Sequence, residues 1–366
     1  MEQRQVMKKV IFPFNSKFPR CGEGSAVTLK DGRVMLMYSL FSGTADHDRS
    51  EIVAAILDPE TGALSEERVL FSDSHYLNQM SLSLERLNDG SLGFLWLRKL
   101  AAYHDVVYFT RSMDDGLTWS EPKVISYLNN AGYVVINNDR LRQLRSNRLV
   151  VPVCVYPGGF EKLPSYLELW YSDDWGETWK RSAEVKKCAN PPLLSPAVPE
   201  LSFEDICNSP YREQEPGVEE CADGTLYYYC RTNLGYMYNS WSKDQGKTFT
   251  ELTPQLDIIS PLSPQSIRLQ PGTSRMWCVY NDHEGVTYGD GPNWNWRTPL
   301  TLAYSDDNGV SWKKYQEIED KSHNYCYTSM TFIGSTLLLT YYESENREDG
   351  ARRNLASLKM QTIQLP

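Results

Sequence analysis

The chain is written in short apolar runs separated by polar turns. Leu167-Glu168-Leu169-Trp170-Tyr171 opens with strict apolar/polar alternation and ends in two aromatics, while Val34-Met35-Leu36-Met37-Tyr38 is a continuous apolar run. Alternation of period two, and runs of this length bounded by Gly, Asp and Asn, predict half-buried and fully buried β-strands. Helical periodicity is scarce.

Two kinds of turn punctuate the strands, and both repeat. The first is the octet S-x-D-x-G-x-[TS]-[WF], found at 112–119, 172–179, 242–249 and 305–312, with its serines 60, 70 and 63 residues apart. Asp tolerates left-handed backbone and bonds its own turn amides, and Gly supplies positive φ without a steric penalty. Each octet therefore predicts a β-hairpin tied by Asp and anchored by the closing aromatic. Ile56-Leu57-Asp58-Pro59-Glu60-Thr61-Gly62 looks like a fifth, decayed copy. The second kind precedes an apolar strand: Asp31-Gly32, Asp89-Gly90, Ser146-Asn147, Asp223-Gly224, Gly272-Thr273 and Gly334-Ser335.

Six units of about 60 residues, each with roughly four short strands, predict an all-β chain folded as one six-bladed β-propeller over 1–366. A two-sheet sandwich supplies strands but gives no reason for the period. Val10-Ile11-Phe12 and Leu358–Ile363 are expected to pair in one blade and close the ring. The Pro-rich interval from Pro192 to Pro216 is expected to be a loop on the ligand face.

Composition narrows the function classes. A net charge of −10 argues against nucleic-acid or anionic-membrane partners, though it leaves room for a local basic pocket. No run approaches the roughly 18 apolar residues of a membrane helix. The start lacks a leader-like apolar segment, so a cytoplasmic location is expected. The eight scattered cysteines lack C-x-x-C spacing and read as reduced thiols. Five histidines without ligand spacing, and the lack of a phosphate-cradling loop or G-x-S-x-G, lead to an expectation of no metal and no cofactor.

Over nearly the whole chain, the octets resemble the Asp-boxes of the sialidase (neuraminidase) superfamily, whose fold is a six-bladed propeller. In that family the boxes lie away from the active site and occur in non-sialidases too, so function rests on other residues. The resemblance implies exo-hydrolysis of a terminal sialic acid, or a related acidic sugar, from a glycan with retention. Such a sugar carries a carboxylate on its anomeric carbon. Guanidinium groups hold a carboxylate in bidentate fashion. A Tyr made reactive by a carboxylate base is a nucleophile that does not repel the substrate's charge.

Glu215-Pro216-Gly217-Val218-Glu219-Glu220-Cys221-Ala222-Asp223-Gly224-Thr225-Leu226 followed by Arg231 is similar to the family's base-and-arginine segment. It implies that Glu215 is the base and Arg231 part of a carboxylate-binding triad. Tyr327-Thr328-Ser329-Met330 through Tyr342-Glu343 resembles the nucleophile segment and implies Tyr327, with Tyr325 as fallback. Arg297, ahead of the strand feeding the last octet, matches another triad member. Arg20 matches the third, although the family's R-I-P is replaced by Arg20-Cys21-Gly22. The loop 42–52 resembles the acid/base loop and offers Asp46 or Asp48, with Arg49 as a possible stand-in for a missing arginine. Trp294 and Trp296 are candidates for an aromatic wall. Asn137-Asn138-Asp139-Arg140 reads as a strand-end turn or a segment reaching the central pocket. Two other functions stay open: an exo-glycosidase acting on a different sugar, and a glycan-binding propeller without turnover.

Overall fold

The computed structural model describes residues 7–72, 75–101, 104–126, 133–156, 165–186, 213–285, 296–345 and 356–366. The expected Pro-rich loop falls largely outside them, as does Trp294. The regular elements in the described residues are all strands, arranged as six antiparallel sheets. Blade 1 holds β2 (Arg20–Thr28), β3 (Val34–Phe41), β4 (Ser50–Leu57) and β5 (Leu64–Phe71). Blade 2 holds β6 (Asn78–Arg86), β7 (Leu92–Ala101), β8 (His104–Ser112) and β9 (Lys123–Val124). In blade 3, β10 (Tyr133–Val135) and β11 (Arg142–Gln143) both pair with β12 (Leu149–Tyr156), followed by β13 (Tyr166–Ser172) and β14 (Lys180–Arg181). Blade 4 is β15 (Glu213–Glu220), β16 (Leu226–Thr232), β17 (Tyr236–Ser242) and β18 (Thr253–Ile259). Blade 5 is β19 (Ser266–Leu269), β20 (Met276–Asn281), β21 (Leu300–Ser305) and β22 (Lys313–Glu319).

Blade 6 closes the ring as expected. The first strand, β1 (Met7–Phe12), pairs with the last, β25 (Ser357–Gln364), Val10 opposite Lys359 and Phe12 opposite Leu358. Next to β25 come β24 (Thr336–Glu345) and β23 (His323–Ile333). The strands β2, β6, β15, β19 and β23 pack against their neighbours around the axis. The second strands β3, β12 and β16 are buried along their whole length, and their sequences are accordingly almost wholly apolar or aromatic, with Ser39, Arg231 and Thr232 the exceptions.

Both sets of turns lie where the repeats predict. The short turns join first to second strands and the octets join third to fourth. In an antiparallel meander these two connections share one face of the ring, and the connection between second and third strands lies on the other. In each octet the Asp carboxylate gathers the turn. Asp244, for example, accepts from Ser242 Oγ at 2.8 Å, Thr248 N at 2.9 Å and Thr248 Oγ1 at 2.6 Å. Asp58 does the same for the decayed copy, accepting from Thr61 Oγ1 at 2.6 Å. The octet glycines also dock each blade on the preceding one. A Cβ on Gly176 would lie 2.0 Å from Phe109 of blade 2, and one on Gly246 2.2 Å from Leu169 of blade 3.

At the axis, five non-glycine residues adopt left-handed backbone: Glu23, Ser81, Asp139, Glu215 and Tyr327, with φ between 45° and 59°. Four of them stand at β-bulges in β2, β6, β15 and β23, where the ladder register shifts. A bulge re-aims a side chain, and each left-handed residue costs on the order of 1–3 kcal/mol. Strain at equivalent places in several blades turns selected side chains toward the axis.

The segment 137–140 joins the inner strands. Asn138 Nδ2 donates to Gly24 O at 2.8 Å and Tyr327 O at 3.0 Å. Asp139 accepts from Arg268 Nη2 at 2.8 Å and Met330 N at 3.0 Å. Arg140 donates to Pro216 O at 3.0 Å and Gln265 O at 2.6 Å. One stretch of blade 3 thus binds blades 1, 4, 5 and 6.

Candidate active site

The alternation of strand direction brings the chemistry to the face opposite the octets. Arg20 is the first residue of β2, and Asp46 lies in the turn from β3 to β4. Glu215 and Tyr327 are near the starts of β15 and β23, and Arg231 is near the end of β16. Arg297 precedes β21. All six come from the same end of their strands.

Tyr327 is at the centre. Its Oη donates to Glu215 Oε1 at 3.2 Å, and Arg231 Nη2 lies 3.1 Å from that same oxygen. Arg231 is also held by Gln214 Oε1 at 2.8 Å. Arg297 stands over the Tyr327 ring, its Cζ 5.2 Å from the centroid, with Nη1 3.1 Å from Cys326 Sγ. Burial pushes the Tyr327 phenol up and the Glu215 carboxylate adds to it, while Arg297 and Arg231 pull the other way; the net shift is upward. The resting phenol is therefore protonated, with its proton aimed at a carboxylate.

Arg20 reaches the cluster through Tyr342, whose ring meets Tyr327 edge-on at 6.0 Å. The guanidinium is fully engaged: Nε donates to Tyr342 Oη at 3.0 Å, Nη2 to Glu23 Oε1 at 2.8 Å and Nη1 to Asp46 Oδ1 at 2.5 Å. Gly22 makes this possible, since a Cβ there would fall 2.2 Å from the Tyr342 ring. Glu23 is 2% exposed, and its other oxygen accepts from Ser81 N at 2.8 Å. Asp46, by contrast, is 68% exposed along its side chain. Partial desolvation where it borders the cleft works to raise its carboxyl, but the Arg20 charge and hydrogen bond prevail and hold it below the usual carboxylate range.

The other candidates separate from the cluster. Asp48 folds back on its own loop, with Oδ2 accepting from Ala45 N at 2.7 Å. The Arg49 side chain is exposed, and its carbonyl accepts from Ser42 N at 2.8 Å. Tyr325 packs with Tyr341, Trp277 and Leu302 in the core between blades 5 and 6. The Trp296 carbonyl bonds the His283 ring at 2.8 Å. A cleft of about 80 Å³ borders Arg20, Glu23, Asp46, Glu215 and Tyr327, with blades 2 and 3 supplying Lys99, Asp105 and Tyr133. Glu23 and the Lys99–Asp105 pair were not signalled by sequence, and Tyr342 entered only as part of the segment that resembles the nucleophile's. A charged residue between two glycines of an inner strand was the available clue to Glu23; Lys99 and Asp105 sit among ordinary strand-end residues.

The model of the BNR repeat-like domain matches residues 95–338. The chain belongs to that family. Solved structures share the fold of this BNR-repeat chain along its length. A protein of unknown function from Dyadobacter fermentans superposes with a TM-score of 0.70 at 16% identity, over 99% of each chain. The Hadza microbial sialidase Hz136 gives 0.71 at 17% identity, over 98% of this chain and 68% of its own. The leech intramolecular trans-sialidase gives 0.72 at 13% identity, over 98% and 70%. No curated protein matches the chain significantly. At these identities the likeness establishes the six-bladed propeller.

Proposed function

We propose that this protein is a sialidase-like exo-glycosidase releasing a terminal sialic acid from a glycan with retention, using Tyr327 as nucleophile. The observation that carries the reading is the Tyr327–Glu215 hydrogen bond of 3.2 Å, flanked by Arg231 and Arg297. A phenol beside a carboxylate and two guanidiniums suits an anionic substrate better than a carboxylate nucleophile would.

In the first step Tyr327 Oη attacks the anomeric carbon while its proton passes to Glu215. The glycosidic C–O bond breaks, and Asp46 gives a proton to the departing oxygen. In the second step Asp46 takes a proton from water, whose oxygen displaces the tyrosyl oxygen, and Glu215 returns the proton to Tyr327. Two inversions give net retention. The reading accounts for Arg20 as well. A substrate carboxylate arriving at Nη1 displaces Asp46, and Asp46, freed from the guanidinium, recovers the proton affinity that an acid needs.

The test is hydrolysis of a fluorogenic sialoside by wild type and by Tyr327→Phe from mildly acidic to mildly basic pH. Turnover by the wild type and its loss in the variant support the reading. Sialoside binding without wild-type turnover would favour a glycan-binding propeller, and neither binding nor turnover would favour a different sugar.

A further inference from the structure

The cleft holds a polar pair that this chemistry leaves unused. Lys99 lies near the end of β7 and Asp105 near the start of β8, opposite each other in the ladder. Their side chains are 3% and 2% exposed, yet both line the cleft beside Asp46 and Tyr327. They form a loose pair. Lys99 Nζ is 3.8 Å from Asp105 Oδ1, too far for a hydrogen bond, and that oxygen has no hydrogen-bond partner among the described residues. Lys99 Nζ also stands 5.3 Å from the centroid of Tyr133.

A buried ion pair offsets its desolvation only with good geometry and full hydrogen bonding, and this one has neither. An orphaned buried carboxylate oxygen at a cleft wall calls for an occupant. Burial shows in the carboxyl itself, which is pushed up to about 7 against the pull of Lys99.

We propose that Lys99 and Asp105 are a hydroxyl-reading subsite, which takes one sugar hydroxyl between Asp105 Oδ1 and Lys99 Nζ. A hydroxyl donates and accepts through one oxygen, whereas an amide splits these roles between two atoms, and a methoxy or hydrogen substituent cannot donate. Two hydrogen bonds of about 2.8 Å from one oxygen span a separation of this size. The subsite belongs to blade 2, across the axis from Arg297 in blade 5, so the hydroxyl is on the side of the sugar remote from its carboxylate. This deepens the proposed function and rests on it for the pose of the sugar.

Calorimetric titration with the 2,3-didehydro-2-deoxy derivative of N-acetylneuraminic acid, and with analogues each lacking one hydroxyl, tests the subsite. The proteins compared are wild type, Asp105→Asn and the double variant Lys99→Met/Asp105→Leu. The double variant replaces both partners with apolar groups of similar size, a change compatible with folding, and thermal unfolding checks that it has folded. The expected result is one deoxy analogue binding the wild type about 10- to 100-fold more weakly than the parent. In the double variant the parent and that analogue should bind alike. If every analogue loses the same factor in wild type and double variant while sialoside turnover persists, the subsite is wrong and the proposed function stands. If the wild type neither binds the parent nor cleaves a sialoside, both fall together.

Discussion

The Tyr327 hydroxyl meets Glu215 across the axis at 3.2 Å, and both residues hold left-handed backbone, at φ 56° and 45°. Neither side chain would face its partner from a regular ladder. The strain is part of the geometry, and it makes the pair sensitive to the loss of either end. Tyr327→Phe is expected to lower kcat by at least about 10³-fold while sialoside binding stays within a few-fold of wild type. Glu215→Gln keeps a hydrogen-bonding oxygen but not the base, and should lower kcat by about 10²- to 10⁴-fold. Single-turnover kinetics and calorimetry measure both. Turnover near the wild-type rate in Tyr327→Phe would remove the nucleophile assignment.

Asp46 and Asp48 predict different phenotypes. Asp46 is on Arg20, and Asp48 is a tie within the loop. Asp46→Asn should cost about 10²- to 10⁴-fold in kcat for natural linkages and far less for an aryl sialoside, whose leaving group needs little protonation. Asp48→Asn should act alike on both substrates. The Arg20 pair also sets a sign for the pH profile. In the free protein Asp46 is held below its ordinary range, so its protonated form is lost early as pH rises. Once a substrate carboxylate displaces it, that loss comes later. The basic limb of kcat should therefore lie at higher pH than the basic limb of kcat/KM. Coincident limbs would count against displacement.

The fold was legible because its signals are local. An octet states its own turn, and six turns at a regular period state a ring. Ring closure followed from the apolar termini, whose pairing is observed at Val10 and Lys359. The site was legible only as far as single strands carry it. Tyr327, Glu215, Arg231 and Arg297 could be picked out one segment at a time, but their meeting depends on bulges that leave little trace in sequence. Asn138 and Asp139 read either as a strand-end turn or as a segment reaching the central pocket, since nothing local shows that their partners are Tyr327 and Arg268, more than a hundred residues away. Lys99 and Asp105 were invisible for the same reason: Tyr133, which faces Lys99 at 5.3 Å, belongs to another blade.

The octets separate backbone strain from packing. Gly176 and Gly224 have nearly equal φ, 90° and 89°, but a Cβ meets Phe109 at 2.0 Å on Gly176 and nothing within 4 Å on Gly224. Gly224→Ala should cost the backbone term alone, about 1–2 kcal/mol. Gly176→Ala adds overpacking between blades 2 and 3 and should cost about 2–5 kcal/mol in total. Urea unfolding midpoints check the difference. Equal losses would mean that the octets do not latch neighbouring blades.

The same octets tie stability to pH. Burial disfavours the charged form of Asp244, but hydrogen bonds from Thr248, Ser242 and the turn amides outweigh it and bring the carboxyl down to about 2. Its folded value is below the unfolded one of roughly 3.9, so its contribution is present above pH 4 and lost as pH falls toward 2. Asp114 is likewise lowered to about 2, and Asp174 and Asp307 are lowered too. The melting temperature should fall steeply between pH 4 and 2, and Asp244→Asn should flatten part of that fall. An unchanged slope in the variant would assign acid lability elsewhere.

The strongest stability effect is expected at Asp139, because there the charge network is buried. Asp139 is 1% exposed and accepts from Arg268 at 2.8 Å, Arg142 at 3.4 Å and the Met330 amide at 3.0 Å. Those cations and the amide hold its carboxyl below the usual range despite its burial. Removing it leaves two guanidiniums at the axis with less compensation, an imbalance that typically costs about 3–5 kcal/mol. An exposed pair such as Arg33–Asp31 is screened by solvent and contributes little. Asp139→Ala should therefore lower the urea midpoint several times more than Asp31→Ala. It should also impair sialoside turnover, since the adjacent Asn138 holds the Tyr327 carbonyl at 3.0 Å. A variant that loses stability but keeps full turnover would show that the Tyr327 backbone is held by its own bulge, independently of the hub.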